Sequence, residues 1–342
     1  ESDGTFEWDH TTVVVVHARG GGRAGIGYTY AHRSAAEIVE RTLAPAVEGT
    51  NAMATTQAWV AMQRRVRNVG RRGLAQLAIS AVDVALWDLK AKLLDVALVT
   101  LLGPVREAVP VYASGGFTSY DDGELADQLE GWADGGFAMV KMKVGRDPGA
   151  DVHRVRLARR AIGPDVQLFV DANGAYSAKE ALAQAESFAA AGVSWFEEPV
   201  SSDDLEGLRL VRERAPAGMA IAAGEYGTAL DDFRRMLEAD SVDVLMPDGT
   251  RCGGVTGLLA VDGLADAFGA PLSTHCAPHL HAHVGCATRR VRHLEYFHDH
   301  ARIDRLLFDG AVTPTHGRVV PDVSRAGLGI ELRARDAVRF AA

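Results

Sequence analysis

The sequence predicts an α/β fold, a (β/α)8 TIM-type barrel with an N-terminal α+β capping domain that the C-terminal segment completes. Three observations support this prediction. A chain of 342 residues is too long for one small core. Strand-like and helix-like segments alternate from residue 109 onward, which is typical of a parallel sheet. From Lys143 onward, one ionisable residue follows each strand-like segment at steps of 20 to 28 residues, as expected where barrel strands end at one face.

The first 105 residues are predicted to form the capping domain. A β-branched run at 12–18 and a second short strand at 25–30 are joined by three glycines, which indicates a β-hairpin. Apolar residues at helical spacing then indicate three helices. The predicted cap helices are 35–47, 55–66 and 74–94.

Residues 106–308 are predicted to form the barrel. Its predicted strands are 109–113, 138–144, 167–170, 194–196, 220–223, 242–246, 271–273 and 292–295. Its predicted helices are 125–133, 150–162, 178–191, 204–215, 230–239 and 257–268. Residues 309–342 form no obvious barrel unit, so they are predicted to return to the cap or wrap the barrel.

Composition narrows the class of partner. A hydrophobic content of 47% and a charged content of 24% are typical of a globular enzyme. The formal net charge of −9 argues against nucleic acid and anionic membranes as partners, and no apolar run approaches membrane-span length. The three cysteines, Cys252, Cys276 and Cys286, form no C-x-x-C pattern, which favours reduced thiols in a cytoplasmic protein.

A lysine pair stands in residues 140–144, V-K-M-K-V. The chain has only five lysines, and two of them, Lys141 and Lys143, are one residue apart. Strand alternation puts both on one face, where each disfavours the charge of the other and lowers its pKa. One of them is therefore a candidate base near neutral pH. The alternative is a pair of solvated lysines on an edge strand.

Three acids, Asp171, Glu197 and Glu225, each follow an apolar strand. Carboxylates from consecutive strands would converge on one point, and buried anions repel one another unless a cation lies among them. All-oxygen ligation favours Mg²⁺ first and Mn²⁺ second. The alternative is that each acid caps the helix that follows it.

Asp248 and His275 follow the sixth and seventh strands. Adjacent strands would bring the carboxylate to the imidazole and fix its tautomer, although a lone pocket histidine with satisfied hydrogen bonds is the alternative. The stretch from His275 to His283 contains four histidines and a cysteine. Its spacing fits no common zinc pattern and Pro278 interrupts it, so no zinc site is predicted there.

As a set, the lysine pair, the three acids and the Asp248–His275 pair resemble the signature of the enolase superfamily, and within it the mandelate racemase-like group (mandelate racemase/muconate lactonizing enzyme family). The segment 248–257 is also similar to the sixth-strand loop of this group. Each motif alone is weak, and the set is specific. The resemblance covers essentially the whole chain: the cap, the barrel and the C-terminal return.

The resemblance implies a role for each residue. The three acids would hold Mg²⁺ and the substrate carboxylate would bind that ion. Lys143 would be the base on one face of the α-carbon, with its pKa tuned by Lys141. His275, backed by Asp248, would act on the opposite face. Glu295 matches the position of a protonated acid that donates a hydrogen bond to the substrate carboxylate.

The implied activity is Mg²⁺-dependent removal of the α-proton of a hydroxy carboxylate through an enediolate. If His275 returns a proton to the α-carbon, the result is racemisation. If it protonates a β-hydroxyl, water leaves and a 2-keto acid forms, which is the favoured outcome. Cycloisomerisation is placed lower, because that reaction more often uses a lysine where this chain has His275. The resemblance also implies a homo-oligomer, by analogy alone.

The substrate-binding candidates are Ser114 and Thr118 in the polar loop 114–120, together with Tyr226 and Arg251. Arg251 would bind a second carboxylate or serve as a salt-bridge partner. The hydroxyl-rich loop favours a sugar acid over an aromatic substrate. Further candidates are the cap hairpin at 20–32, Tyr296 and His298.

Two other classes of protein are alternatives to this enzyme. A catalytically silent ligand-binding barrel would be expected to lose Lys143, His275 or a metal acid, and this chain has them all. A phosphate-binding barrel would carry a glycine cluster after its seventh and eighth strands, where this chain has none.

Overall fold

A β-hairpin and a long helix form the centre of the cap in the computed structural model, which describes residues 1–341. Strands β1 (Val13–Gly20) and β2 (Arg23–Tyr30) pair antiparallel, and the turn between them is formed by Gly21 and Gly22 at φ of 56° and 76°. A two-residue turn with positive φ matches the twist of a hairpin and favours glycine. The cap helices are α1 (Ser34–Ile38), a π-helical turn (Val39–Leu43), α2 (Ala44–Val47), α3 (Thr55–Arg65), α4 (Leu74–Leu93) and α5 (Leu98–Leu102).

Two glycines allow the hairpin to lie directly on α4. A Cβ at Gly25 or Gly27 would come within 2.2 Å or 2.1 Å of a carbonyl oxygen of the helix. The single helix predicted at 35–47 is instead α1, the π-helical turn and α2. Pro45 lies in this segment and has no N–H to donate to the preceding turn.

Eight parallel strands form the closed barrel. They are β3 (Val109–Gly115), β4 (Met139–Lys143), β5 (Gln167–Asp171), β6 (Val193–Glu197), β7 (Ala220–Ala223), β8 (Val244–Leu245), β9 (Leu272–Thr274) and β10 (Val291–Phe297). Neighbours in the chain are neighbours in the sheet, and β10 pairs with β3 to close it. The predicted fold class and all eight predicted barrel strands are therefore confirmed.

Helices cover the outside of the barrel. They are α6 (Asp122–Asp134), α7 (Pro148–Ile162), α8 (Ala178–Ala189), α9 (Leu205–Arg214), α10 (Leu230–Glu238), α11 (Gly254–Phe268), α12 (Pro278–Ala287) and α13 (His298–Leu307). Neither α12 nor α13 is among the helices predicted from the sequence. Pro278, interpreted from the sequence as an interruption, lies at the first position of α12, where a proline is well tolerated. None of the helices among residues 1–341 is both long and apolar enough to cross a membrane.

An aromatic layer fills the barrel interior below the strand ends. Tyr112, Phe169 and Trp195 are at most 3% exposed and surround the ring of His293 at centroid distances of 5.2 to 5.7 Å. Burial lowers the pKa of His293 to about 3, so this ring is neutral. This aromatic floor is closely packed, and the polar side chains at the ends of the strands pack directly above it.

A buried carboxylate joins the cap to the barrel. Asp83 of α4 accepts hydrogen bonds from the backbone N–H (2.9 Å) and the hydroxyl (2.7 Å) of Thr256 in α11. The Thr256 hydroxyl also accepts one from the indole N–H of Trp87, at 2.9 Å. Burial raises the pKa of Asp83 to about 7, although the bonds from Thr256 oppose this.

The raised pKa of Asp83 predicts a pH dependence of stability. A carboxyl group with a higher pKa when folded binds more protons in the folded state, so the free energy of unfolding falls as pH rises from about 4 to about 7. The Asp83→Asn variant should lose this contribution, which reaches up to about 4 kcal/mol. Urea unfolding of both proteins at pH 5 and pH 8 measures it. If the wild type and Asp83→Asn differ in their free energy of unfolding by the same amount at both pH values, the prediction is contradicted.

The last residues contact both the barrel and the cap. Strand β11 (Phe308–Asp309) pairs with β13 (Glu331–Leu332), and β12 (Arg318–Val319) pairs antiparallel with the start of β3. Asp88 of α4 accepts hydrogen bonds from the backbone N–H groups of Leu328 (2.6 Å) and Ile26 (2.7 Å). One cap carboxylate therefore links the C-terminal segment to the cap hairpin. A short helix, α14 (Ala334–Ala337), follows.

Candidate active site

The register of the barrel aligns the lysine pair with the acids. Lys143 of β4 lies opposite Asp171 of β5, and Asp171 lies opposite Glu197 of β6. All three are the last residues of their strands. Because parallel strands end at one face, their side chains meet above the aromatic floor.

The three predicted metal acids come together. Carboxylate oxygens of Asp171, Glu197 and Glu225 lie within 4.8 Å of one another, and all three residues are buried. Asp171 and Glu197 are further held by hydrogen bonds from the backbone N–H of Asn173 (2.9 Å) and the indole of Trp195 (3.0 Å). A buried set of three carboxylates fits a hard divalent cation such as Mg²⁺, which takes oxygen ligands and tolerates few others.

Both lysines contact these acids. The Lys141 ammonium lies 2.5 Å from Glu197 and 2.8 Å from Glu295, and the Lys143 ammonium lies 2.5 Å from Asp171. Lys141 is fully buried and Lys143 is 6% exposed, so the alternative of two solvated lysines is wrong.

The predicted lowering of the lysine pKa values is also wrong for the protein's own groups. Burial lowers the pKa of Lys143, and so does Lys141, but attraction by Asp171 and the other carboxylates outweighs both and raises it. Attraction by Glu197 and Glu295 likewise outweighs burial and raises the pKa of Lys141. A divalent cation on the same carboxylates would oppose these shifts, because it competes for their negative charge.

Glu295 differs from the protonated acid that the resemblance implies. Burial raises its pKa, but the attraction of Lys141 and of His275 outweighs this and holds the pKa well below its usual range. Its carboxylate is therefore ionised among the groups present.

Asp248 and His275 form the predicted pair. Oδ2 of Asp248 lies 2.9 Å from Nδ1 of His275, while Oδ1 accepts hydrogen bonds from the backbone N–H and the hydroxyl of Thr250, both at 2.7 Å. The hydrogen bond and the charge of His275 outweigh burial and lower the pKa of Asp248. An ionised Asp248 accepts a hydrogen bond from Nδ1–H, which leaves Nε2 as the nitrogen that can exchange a proton with a ligand.

A cavity of about 340 Å³ opens above these residues. Its barrel side includes Lys143, Glu225, His275 and Glu295. Its cap side is formed by residues of the N-terminal segment and of the end of the hairpin: Asp3, Phe6, Trp8, His10, Thr11, Thr12, Ala31 and His32. The cavity therefore exposes both candidate proton-transfer residues to one ligand while the cap covers it.

Two of the four predicted substrate-binding residues border this cavity. Arg251 and Tyr226 line it, and the guanidinium stacks over the Tyr226 ring at 5.4 Å. Arg251 also donates to the backbone carbonyl of Glu225 (3.1 Å) and lies 3.5 Å from Asp248. It is thus already a salt-bridge partner within the site, which is the second of its two predicted roles.

The other two predicted substrate-binding residues do not line the cavity. Ser114 is fully buried below it, and its hydroxyl has no hydrogen-bond partner. The Thr118 hydroxyl bonds instead to Ser2 (2.7 Å) and to the backbone carbonyl of Asp3 (2.8 Å), so it holds the N-terminal segment in place. Direct contact of Ser114 or Thr118 with a substrate stays a prediction, and the position of neither side chain supports it.

The further specificity candidates, which are the cap hairpin, Tyr296 and His298, also include residues that do not line the cavity. Of the segment 20–32, only Ala31 and His32, which follow β2, line the cavity, and Gly21 in the turn lies against Leu93 instead. Tyr296 donates to the carbonyl of Val312 (3.4 Å), and His298 lies near Trp132, with 6.3 Å between ring centroids.

Sequence reasoning missed several residues at the rim. Asn173, Cys276 and His300 all line the cavity. Glu198 is 1% exposed, has an unpartnered Oε1, and has its pKa raised by burial and by Glu225. Asn173, Glu198 and Cys276 all have positive φ, at 48°, 39° and 51°. Such strain gathers at functional sites, but a sequence shows it only where glycine or asparagine is used.

The three later histidines are structural. In α12, His281 lies 2.7 Å from the carbonyl of Cys276 through Nδ1 and accepts from the N–H of Gly249 through Nε2 at 3.0 Å. His283 lies between the N–H of Val99 and the carbonyl of Leu328, at 3.2 Å each. His279 accepts from Val312 and faces Asp304. Groups of the surrounding structure therefore hold each of these rings in place.

Magnesium is expected to stabilise the fold. A ligand that binds only the folded state at a hundred times its Kd adds about 2.7 kcal/mol to the free energy of unfolding. The thermal midpoint should therefore rise with added Mg²⁺, and the Asp171→Asn variant should lose this rise. The exposed Asp165→Asn variant is the matched control. An undiminished Mg²⁺ effect in Asp171→Asn would show that the cation binds elsewhere.

Family sequence profiles match nearly all of the chain. Residues 5–103 match the mandelate racemase / muconate lactonizing enzyme N-terminal domain, and residues 124–337 match the enolase C-terminal domain-like family. The chain is 36% identical over 323 residues to 3,6-anhydro-alpha-L-galactonate cycloisomerase from Streptomyces coelicolor, covering 90% of this chain and 88% of the relative.

Solved structures agree with this relationship. A mandelate racemase/muconate lactonizing enzyme-like protein from Rubrobacter xylanophilus is 54% identical with a TM-score of 0.98, covering 100% of this chain and 95% of the other. L-Talarate dehydratase from Polaromonas sp. JS666, solved with Mg and L-glucarate, is 30% identical with a TM-score of 0.87, covering 96% and 91%.

Proposed function

The chain belongs to the mandelate racemase/muconate lactonizing enzyme family of the enolase superfamily and is a lyase or isomerase. From this premise we propose that it removes the α-proton of a hydroxylated sugar acid and then expels an oxygen from the β-carbon. The observation that carries the proposal is the shared cavity, which exposes Lys143, His275 and the acid Glu225 to one ligand.

Lys143 is the proposed base. Its ammonium nitrogen faces the cavity and lies 2.5 Å from Asp171. To act as a base it must give up its proton, and a cation on Asp171 favours this because it neutralises the partner that holds the charge. Lys141, fully buried between Glu197 and Glu295, sets the local positive charge and does not reach the cavity.

His275 is the proposed acid on the other side of the substrate. Its strand β9 is separated from β4 by β10 and β3 on one side and by four strands on the other, so the two side chains approach the cavity from different directions. Asp248 holds its Nδ1 at 2.9 Å and directs Nε2 toward the ligand. A protonated Nε2 can deliver its proton to a departing β-oxygen.

The three carboxylates would hold Mg²⁺, which supplies positive charge against the substrate carboxylate and against the negative charge that forms when the α-proton leaves. Glu295 lies beside the same region and is ionised among the protein's own groups. A substrate carboxylate placed next to it would favour protonation by repulsion between the two anions. Only then can it donate the hydrogen bond that the resemblance implies.

Dehydration to a 2-keto acid is the favoured outcome, and racemisation by the same two groups remains the alternative. L-Talarate dehydratase among the similar solved structures supports dehydration.

A second candidate is ring opening, because the curated relative from Streptomyces coelicolor is named a cycloisomerase of an anhydro sugar acid. In a 3,6-anhydro sugar acid the β-oxygen is a ring ether, and the same transfer of a proton from His275 would release it. We therefore rank ring opening above the low place predicted for cycloisomerisation from the sequence.

Proton NMR in D₂O with Mg²⁺, across sugar acids, anhydro sugar acids and simple α-hydroxy acids, tests the proposal. The expected result is a 2-keto product that carries deuterium at its β-carbon, where the enol formed by loss of the β-oxygen takes up a solvent deuteron, and EDTA should abolish its formation. Deuterium with inversion and no keto product would select racemisation. Absence of exchange from every compound, despite a Mg²⁺-dependent rise in thermal midpoint, would favour the silent ligand-binding barrel.

The three free cysteines fit the proposed cytoplasmic location.

A further inference from the structure

A second set of metal-ligating atoms lies beside the three carboxylates. Nε2 of His275, Sγ of Cys276 and Oε2 of Glu295 form a triangle with sides of 3.2 Å, 3.5 Å and 3.7 Å. All three residues are buried, and all three border the substrate cavity. None of the proposed catalytic steps uses the thiol.

The triangle has the dimensions of a zinc site. Zinc bonds to imidazole, thiolate and carboxylate are about 2.0 to 2.3 Å long, so a tetrahedral ion spaces these ligand atoms about 3.3 to 3.7 Å apart. The three observed sides match this to within a few tenths of an ångström. We propose that His275, Cys276 and Glu295 bind a thiophilic divalent cation, Zn²⁺ above all, and that this cation inhibits the enzyme.

The backbone explains how neighbouring side chains can share one ion. Successive residues of an extended strand point to opposite faces. Cys276 and the next residue, Ala277, instead have φ of 51° and 42°, which turns the thiol back toward the imidazole. Glu295 comes from the adjacent strand β10. The spacing of the segment from His275 to His283 could not reveal this set, because one ligand comes from another strand.

Surrounding groups already orient the three ligands. Asp248 holds Nδ1 of His275 at 2.9 Å, which is the carboxylate–histidine–metal arrangement of protein zinc sites. The backbone N–H of Cys276 donates to Oε2 of Glu295 at 3.3 Å, and Lys141 holds the other oxygen at 2.8 Å. Oε2 of Glu225 lies 3.3 Å from Nε2 of His275, at the spacing of a fourth ligand.

The donor chemistry separates the two metals. Three carboxylates suit Mg²⁺, whereas sulfur and imidazole select Zn²⁺ and similar soft ions. A zinc ion on Nε2 of His275 would occupy the lone pair that proton transfer needs. The inhibition therefore rests on the proposed function, whereas the binding does not.

Cadmium absorbance tests the binding without turnover. Cd²⁺ bound to a thiolate absorbs in the ultraviolet, so titrating Cd²⁺ into Mg²⁺-loaded protein should give a saturable band in the difference spectrum. The Cys276→Ser variant should lose the band although Cys252 and Cys286 remain, and Cys276→Ala is a second variant if serine perturbs folding. Cys286→Ala, which removes a buried cysteine of α12 outside the triangle, should keep it.

Turnover supplies the second readout. With Mg²⁺ in excess, Zn²⁺ should inhibit the wild type, and Cys276→Ser should weaken this inhibition at least about tenfold, since loss of an outer-shell partner alone costs 10–100-fold in metal affinity. An unchanged cadmium band in Cys276→Ser, or zinc inhibition that only Mg²⁺ relieves and that this variant does not alter, would overturn the proposal. If the substrate library gives no turnover, the cadmium result still decides whether the site exists.

Discussion

Alanine in place of Lys143 is expected to slow removal of the α-proton by about 10²–10⁴-fold, the usual contribution of a positioned base. The ammonium nitrogen faces the cavity from the end of β4, and the other lysine of the pair is fully buried beneath it. Alanine leaves a space that water can fill, but water is a far weaker base than an amine. The rate at which the α-proton signal of the substrate disappears in D₂O, followed by NMR, measures the loss.

The matched control is Lys179→Ala, which removes an exposed lysine from α8 and should exchange at the wild-type rate. Because His275 approaches from another direction, a substrate of opposite α-configuration should keep part of its exchange in Lys143→Ala. Wild-type exchange in Lys143→Ala for both configurations would remove Lys143 from the mechanism. Equal loss for both would point to damage of the neighbouring metal site, and the Mg²⁺-dependent thermal shift would detect that damage.

Asparagine in place of Asp248 is expected to lower kcat by about 10²-fold or more, as disruption of such carboxylate–histidine pairs does. Oδ1 of Asp248 accepts two hydrogen bonds from Thr250, so the amide oxygen of asparagine must stay there. The amide nitrogen then faces Nδ1 of His275, where the carboxylate now lies at 2.9 Å. Because that nitrogen is a donor, it places the imidazole proton on Nε2 and reverses the tautomer.

Steady-state kinetics of Asp248→Asn measure this effect, and Asp240→Asn is the control. Asp240 is exposed at φ of 52°, a conformation that asparagine tolerates, so that variant should keep wild-type kcat. A double variant of Asp248→Asn with His275→Ala should be no slower than His275→Ala alone, since the carboxylate acts through the ring. Additive losses would show that Asp248 has a separate role.

Residue spacing was sufficient to predict where the acids stand. Asp171, Glu197 and Glu225 each follow an apolar strand, and parallel strands deliver their last residues to one face whatever the helices between them do. The register itself followed once the strands were located. These predictions depend on local sequence pattern and on a general property of barrels, which is why the positions of the three acids in the structure agree with them.

Charge balance and contacts across strands could not be predicted in this way. The two lysines lie among four carboxylates, so attraction outweighs the mutual repulsion that their spacing suggested, and their pKa values rise. Ser114 and Thr118 lie in a polar loop, but burial of the first and the contact of the second with residues Ser2 and Asp3 are set by tertiary packing. The triangle formed by His275, Cys276 and Glu295 depends on the positive φ of Cys276, which cannot be predicted from a cysteine in the sequence.

The distribution of the site over separate strands has a consequence for folding. Lys143, Asp171, Glu197, Glu225, His275 and Glu295 come from six different βα units, so no fragment of the barrel contains a complete site. Contacts between residues so distant in sequence form late, after costly loop closures. A chain that has collapsed but not closed its barrel would therefore have helices, a core and even the three metal acids of β5 to β7, yet no complete active site, because His275 and Glu295 belong to the last two units. Turnover, more than metal binding, would report that the last strand has docked, which makes it a sensitive measure of how much of a preparation is fully folded.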